Sequence, residues 1–131
     1  MFDDDDPLLA QVRRVALAFP EAQEKVSHGR PAFFTGRVFA YYGGSERIDG
    51  GWVPHDRALL VLPDADDEPA LRQDPRFWTP AYLGPSGWLG IDVDERTDWS
   101  EVEELIGGSY RRTASARLVR SLEAGVEGAA E

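Results

Sequence analysis

Residues 58–62, Ala58-Leu59-Leu60-Val61-Leu62, form an unbroken apolar run between Arg57 and Pro63. A strand with one wet face alternates apolar and polar side chains. A short continuous run bounded by a charge and a proline reads instead as a central strand buried on both faces. Whatever fold this chain adopts must supply cover to both sides of that strand.

The flanking segments suggest what the cover is. Residues 7–19 read as a helix: Pro7 suits a first helical position, Leu8, Val12, Val15, Ala16 and Phe19 share one face, and Pro20 ends it. Residues 31–35 and 37–42 read as a hairpin turned by Thr35-Gly36, with Gly36 at positive φ, and Gly43-Gly44-Ser45 stops the second strand. Residues 43–57 carry four Gly, one Pro and five charges and read as a loop around Trp52. A short helix is expected over 66–74, then a second hairpin of 77–82 with 88–93. Asp98-Trp99-Ser100-Glu101 reads as a capping box opening a helix whose apolar face runs from Trp99 to Tyr110. Gly107-Gly108 inside that helix implies a kink or a close backbone approach, and 114–122 reads as a further helical stretch. Helices at both ends of an antiparallel sheet give an α+β two-layer sandwich.

At 131 residues the chain reads as one domain spanning 7–124, with a disordered acidic start at 1–6 and a frayed end at 125–131. It has no Cys, which excludes disulfides and thiolate chemistry and fits a cytoplasmic location. No apolar run is long enough to span a membrane, and the acidic start is unlike a signal peptide. The net charge of −10 opposes polyanion binding, although basic residues gather at Arg13, Arg14, Lys25, Arg30 and Arg37 and again at Arg111, Arg112, Arg117 and Arg120.

Three segments carry a family resemblance. They are His28-Gly29-Arg30-Pro31-Ala32-Phe33 with Gly36-Arg37-Val38-Phe39-Ala40, then Pro80-Ala81-Tyr82 through Gly87-Trp88, then Ser109-Tyr110 through Ala116-Arg117-Leu118. Together they resemble the MmcQ/YjbR family over about residues 8 to 123. The resemblance implies a sandwich like that of frataxin and CyaY: a curved antiparallel sheet with helices on one face. It also implies DNA binding, a description resting on a double-wing structural likeness. The chain departs from the family pattern at Ser115, Ala116, Gly107-Gly108 and the long 43–57 segment, and the first two thin the positive charge of the tail.

Two readings of function stand side by side. In one, Arg30, Arg37, Arg111, Arg112 and Arg117 contact DNA phosphates. In the other, Trp52, Tyr82 and Trp88, with Trp78 and Phe33 considered beside them, bind a small planar ligand, neutral or cationic given the net charge. Neither reading involves catalysis: Ser27-His28 and Ser109 lack an orienting third group, and no Gly-rich phosphate motif precedes a helix. No cofactor is expected. A metal site from His28 and His55 with Asp49 or Asp56, or from the acidic residues Asp64, Asp66, Asp67 and Glu68, is not demanded by the spacing; the latter suit a solvated helix start.

Overall fold

The computed structural model describes residues 2–130, with side chains through residue 125, so the end expected to fray at 125–131 is described in backbone only beyond Gly125, and residue 131 lies outside it. Its elements are α1 (Pro7–Leu17), β1 (Gln23–Ser27), β2 (Arg30–Phe34), β3 (Val38–Ile48), β4 (Gly51–Val61), α2 (Glu68–Gln73), β5 (Phe77–Trp78), β6 (Leu89–Asp92), α3 (Trp99–Thr113) and α4 (Ala116–Ala130). The six strands form one antiparallel sheet in the order β1-β2-β3-β4-β6-β5, the expected α+β class.

Residues 58–61 lie in the middle of this sheet, 59–61 paired to β3 on one side and 58–61 to β6 on the other, and Leu62 follows the strand's end. Their alternation divides them between two layers. Leu59 and Val61 join Leu9, Val12, Ile106 and Tyr110 beneath α1 and α3, whereas Ala58, Leu60 and Leu62 join Trp88 on the other face, covered by Tyr41, Trp78 and Leu83. One face therefore carries helices, and the other carries aromatic rings and a loop.

Two buried polar side chains lock the helical layer. The Ser109 hydroxyl, fully buried on α3, donates to Phe39 O at 2.6 Å and accepts from Leu62 N at 2.9 Å, clamping the helix to β3 and to the end of the apolar run. Asp6, only 5% exposed, caps α1 by accepting from Leu8 N at 2.9 Å. It also accepts from the Tyr42 hydroxyl at 2.6 Å and lies 3.5 Å from Arg57 Nε. A carboxylate can be buried only with such partners. Asp6 is thus part of the core, in contrast to the disordered start expected of residues 1–6, and Asp4 pairs with Arg13.

Several local expectations are corrected. Residues 43–57 are not a loop: β3 and β4 continue through them as a hairpin arm, turned by Asp49 (φ 50°) and Gly50 (φ 79°). This two-residue turn with both φ positive matches the right-handed twist of the strands. Pro54 is tolerated because β4 there has no neighbour on its outer edge; β6 pairs only from Ala58 onward. The His28-Gly29 turn repeats the geometry (φ 52° and 78°) between β2 and β1, a strand not anticipated from the sequence. Gly36 does not adopt positive φ; its turn is closed by Thr35 N donating to Arg37 O. The expected 77–82 strand stops at Trp78, because Pro80 cannot donate to a ladder and is buried as the chain leaves the sheet. Asp98 caps α3 as expected, accepting from Ser100 N, but Glu101 turns to Arg76 instead of completing the box.

Gly107 and Gly108 neither break α3 nor mark a tight approach; a Cβ on Gly108 would meet its nearest neighbour, Asp64, at 3.6 Å. Gly90 is the opposite case, since a Cβ there would sit 2.6 Å from the Trp78 ring. Gly108→Ala is expected to raise stability by about 1 kcal/mol, removing the helical glycine cost. Gly90→Ala should lower it by about 1–3 kcal/mol through overpacking. Urea melts of the two variants check the opposite signs.

Burial, then the bond to Asp6, pushes the Tyr42 phenol well above its ordinary value. A native value above the unfolded one means that the stabilisation is complete below about pH 10 and is lost as pH rises further. Tyr42→Phe should cost about 2 kcal/mol at pH 8, as expected for a hydrogen bond to a charged group. Urea midpoints near pH 11 should show the gap between the two proteins narrowed.

Candidate functional site

The face opposite α1 and α3 holds a groove of about 560 Å³. Tyr41, Gly43, Gly44 and Leu60 line it from β3 and β4, and Ser27, His28 and Arg30 from the β1–β2 turn. Trp52 enters from the hairpin arm, and Pro80, Ala81 and Tyr82 from the loop between β5 and β6. The loop is tied to the arm by Ala81 N donating to Ser45 O at 2.8 Å.

Tyr82 is the most unusual residue of this groove. Its φ is 66°, and Leu83 N donates across it to Ala81 O at 2.8 Å, closing a γ-turn of the rare, strained hand. Its side chain is 84% exposed and stacks on Trp52, itself 48% exposed, with ring centroids 5.6 Å apart and planes inclined by 27°. Arg47 lies 4.7 Å from the Trp52 ring centroid. A bulky residue in the left-handed region costs about 1–3 kcal/mol, and such strain gathers at functional sites.

Arg30 is held by an absence of side chain. Its guanidinium crosses Gly43 (φ 86°), where a Cβ would come within 2.5 Å of Nη1. Nη1 lies 3.0 Å from Asp56 Oδ1, an ion-pair distance, yet is misaligned for a hydrogen bond and has no other partner among the described residues. Shielded from water, Nη1 is thus paired with Asp56 by charge and lacks an aligned hydrogen bond.

Beside the groove, His55 braces the arm. Its ring stacks on Trp78 (centroids 3.9 Å apart, planes at 18°), with Nδ1 2.7 Å from Asp92 Oδ1 and Nε2 3.1 Å from Glu46 Oε1. Trp78 in turn lies flat on Gly90. The carboxylates at His55 are therefore Glu46 and Asp92, in place of the Asp49 or Asp56 considered from sequence. Among the described residues no group of three or more His, Asp or Glu is arranged to hold a metal ion.

The candidate residues separate on this geometry. Trp52 and Tyr82 meet at the groove. Trp88 does not: it is 7% exposed and packs edge-on against Tyr41, because the loop above it covers the sheet face that alternation alone suggested was open. Phe33 is fully buried, and Trp78 supports His55. The five arginines do not converge. Arg30 is at the groove. Arg37 and Arg117 line a separate cleft near the α3–α4 junction, where Arg117 pairs with Glu21 at 2.8 Å and holds its carboxyl below the usual range. Arg112 donates to Pro63 O at 2.6 Å, and Arg111 is exposed on α3. Arg30 was anticipated as a phosphate contact; its position in one groove with the two aromatics was not, because only the folded sheet brings β2 to the arm.

The YjbR family model matches residues 17–112, a span that contains every residue of the groove. The chain belongs to the YjbR family. Among solved structures it is similar to the Deinococcus radiodurans protein DR2400, described by the domain name DUF419, with a TM-score of 0.58 and 15% identity. The likeness covers 91% of this chain and 87% of that one, and at this identity it bears on the fold. A search of curated proteins gives no significant match. Within this YjbR chain, Ser115 replaces the proline typical of the resembled tail and caps α4, accepting from Leu118 N at 3.3 Å. Among the described residues no helix is long and apolar enough to cross a membrane.

If Tyr82 serves a ligand instead of the fold, Tyr82→Gly should leave stability unchanged or raise it by up to about 1 kcal/mol, since glycine accepts the left-handed turn without strain. Urea denaturation checks this. A loss above about 1 kcal/mol would assign the exposed ring a structural role.

Proposed function

We propose that this chain is a small-ligand binding module, not an enzyme, and that the groove on the sheet face opposite α1 and α3 takes a planar ligand. The observation that carries the reading is Tyr82: a largely exposed aromatic, held in a strained turn and stacked on a second exposed aromatic at the rim of a groove. Folding alone gives no reason to maintain both costs. Flat, rigid rings offer large contact area to another ring with little loss of side-chain freedom.

The alternative, DNA binding, draws on the family resemblance and finds less support. The candidate arginines are dispersed, two are engaged by Glu21 and Pro63 O, and the net charge is −10. A titration of duplex DNA at about 50 and about 200 mM salt separates the two readings. No salt-dependent complex is expected. A complex that weakens steeply with salt and is lost on substituting Arg37 and Arg117 would move the function to their cleft.

The direct test is a titration of the ¹⁵N-labelled protein with a panel of planar aromatic compounds. Shifts should gather at Tyr41, Gly43, Ser45 and Tyr82. Trp52→Ala and Tyr82→Gly should each weaken binding by about tenfold, in the range for loss of one stacking partner. Silence across the panel would sink the proposal.

A further inference from the structure

The groove shows a selectivity in its own lining. Among the described residues no Asp or Glu lines the groove, and Arg30 is the one Arg or Lys that does. Its guanidinium is poorly used by the protein. Nη1 is covered and lacks an aligned hydrogen bond, and Asp56, the nearest carboxylate, is 71% exposed and out of line. Nη1 itself is closed off, but Arg30 lines the groove with 19% of its side chain exposed. Guanidinium offers five donors in one plane and pairs bidentately with carboxylate or phosphate oxygens.

We infer that the groove recognises planar rings bearing an anionic substituent, a carboxylate or a phosphate, with the ring against Tyr82 and Trp52 and the charge at Arg30. This rests on the groove being the binding site, as proposed above. It runs against the sign suggested by the net charge. That charge is spread over the whole surface, where salt screens it beyond about 8–10 Å, whereas Arg30 acts at contact. Gly43 is integral to the arrangement: any side chain there would displace the guanidinium from the strand it lies on. Asp56 draws on the charge of the same guanidinium.

Four naphthalene probes of one ring shape supply the test: 2-naphthoate, 2-naphthyl phosphate, 2-naphthol and 2-naphthylmethylammonium, each titrated into the ¹⁵N-labelled protein. Both anions should bind about tenfold or more tighter than 2-naphthol, and the ammonium should bind most weakly, in keeping with a charge-assisted hydrogen bond. The ratio of the two anions tells carboxylate from phosphate as the preferred group. Arg30→Gln should bring the anions to the level of 2-naphthol while leaving 2-naphthol unchanged, and Asp56→Asn should tighten the anions only. If 2-naphthol or the ammonium binds this groove as tightly as the anions, or if Arg30→Gln leaves the anions unaffected, the anion inference is overturned and the groove stands as a site for uncharged rings. If no probe shifts the groove resonances, both the inference and the binding-site reading fail.

Discussion

Residues 58–62 are buried on both faces, and the two coverings differ in kind. On one side α1 and α3 bring long apolar stripes, and the Ser109 hydroxyl ties α3 to Phe39 O and Leu62 N. On the other side no long helix is available. Cover comes from Tyr41 on β3, Trp78 on the two-residue β5, and Leu83 and Trp88 on a ten-residue excursion of the chain at 79–88. Rings hide much area per residue, which is how so short a segment buries Leu60 and Leu62. A loop cannot cover a whole sheet face as a helical layer does, and the part of the face toward β2 and the arm is left as the groove. The groove is thus a consequence of asymmetric cover over one strand.

Legibility in the sequence followed the same division. The apolar run, α1 and the Asp98 cap depend on neighbours within a few residues, and they were readable. β1 and the arm were not, because each lies where the sheet has an outer edge or two wet faces, and no apolar alternation is required there. Gln23–Ser27 carries Glu24 and Lys25 on an edge, which protects it from pairing with other chains and erases its pattern. The arm contained one readable signal, Asp49-Gly50, hidden among the glycines that made the whole segment look like a loop. Trp88 shows the converse. Its alternation placed it on the correct face, but whether that face was open depended on the path of residues 79–88, which no local pattern encodes.

Assembly of the groove is likewise non-local. Trp52 comes from the arm, Tyr82 from the 79–88 loop and Arg30 from β2, and none is near another in sequence. What brings them together is a set of glycines whose missing side chains are occupied by neighbours. Gly90 admits the Trp78 ring, Gly43 admits the Arg30 guanidinium, and a Cβ on Gly44 would stand 2.9 Å from Leu60. Gly43 and Gly44 serve close packing where the sequence pattern reads as the stop of a strand, and Gly90 packs within the strand expected of it.

Beyond Tyr42 the arm has no flanking strand, so its position rests on few contacts. Ala81 N to Ser45 O joins it to the loop, and His55, stacked on Trp78 and bonded to Asp92, joins it to β5 and β6. Elements with few buried contacts open at lower free energy than the core they extend from. The aromatic pair Trp52–Tyr82 therefore spans two such elements, one ring on each, across the Ala81–Ser45 link. A ligand resting on both rings would make a contact that neither element makes by itself, and its binding would draw on the ordering of the arm and the loop together. The helical layer beneath is held by Ser109 and Asp6, so the chain pairs a firmly tied half that maintains the fold with a lightly braced half that holds the groove.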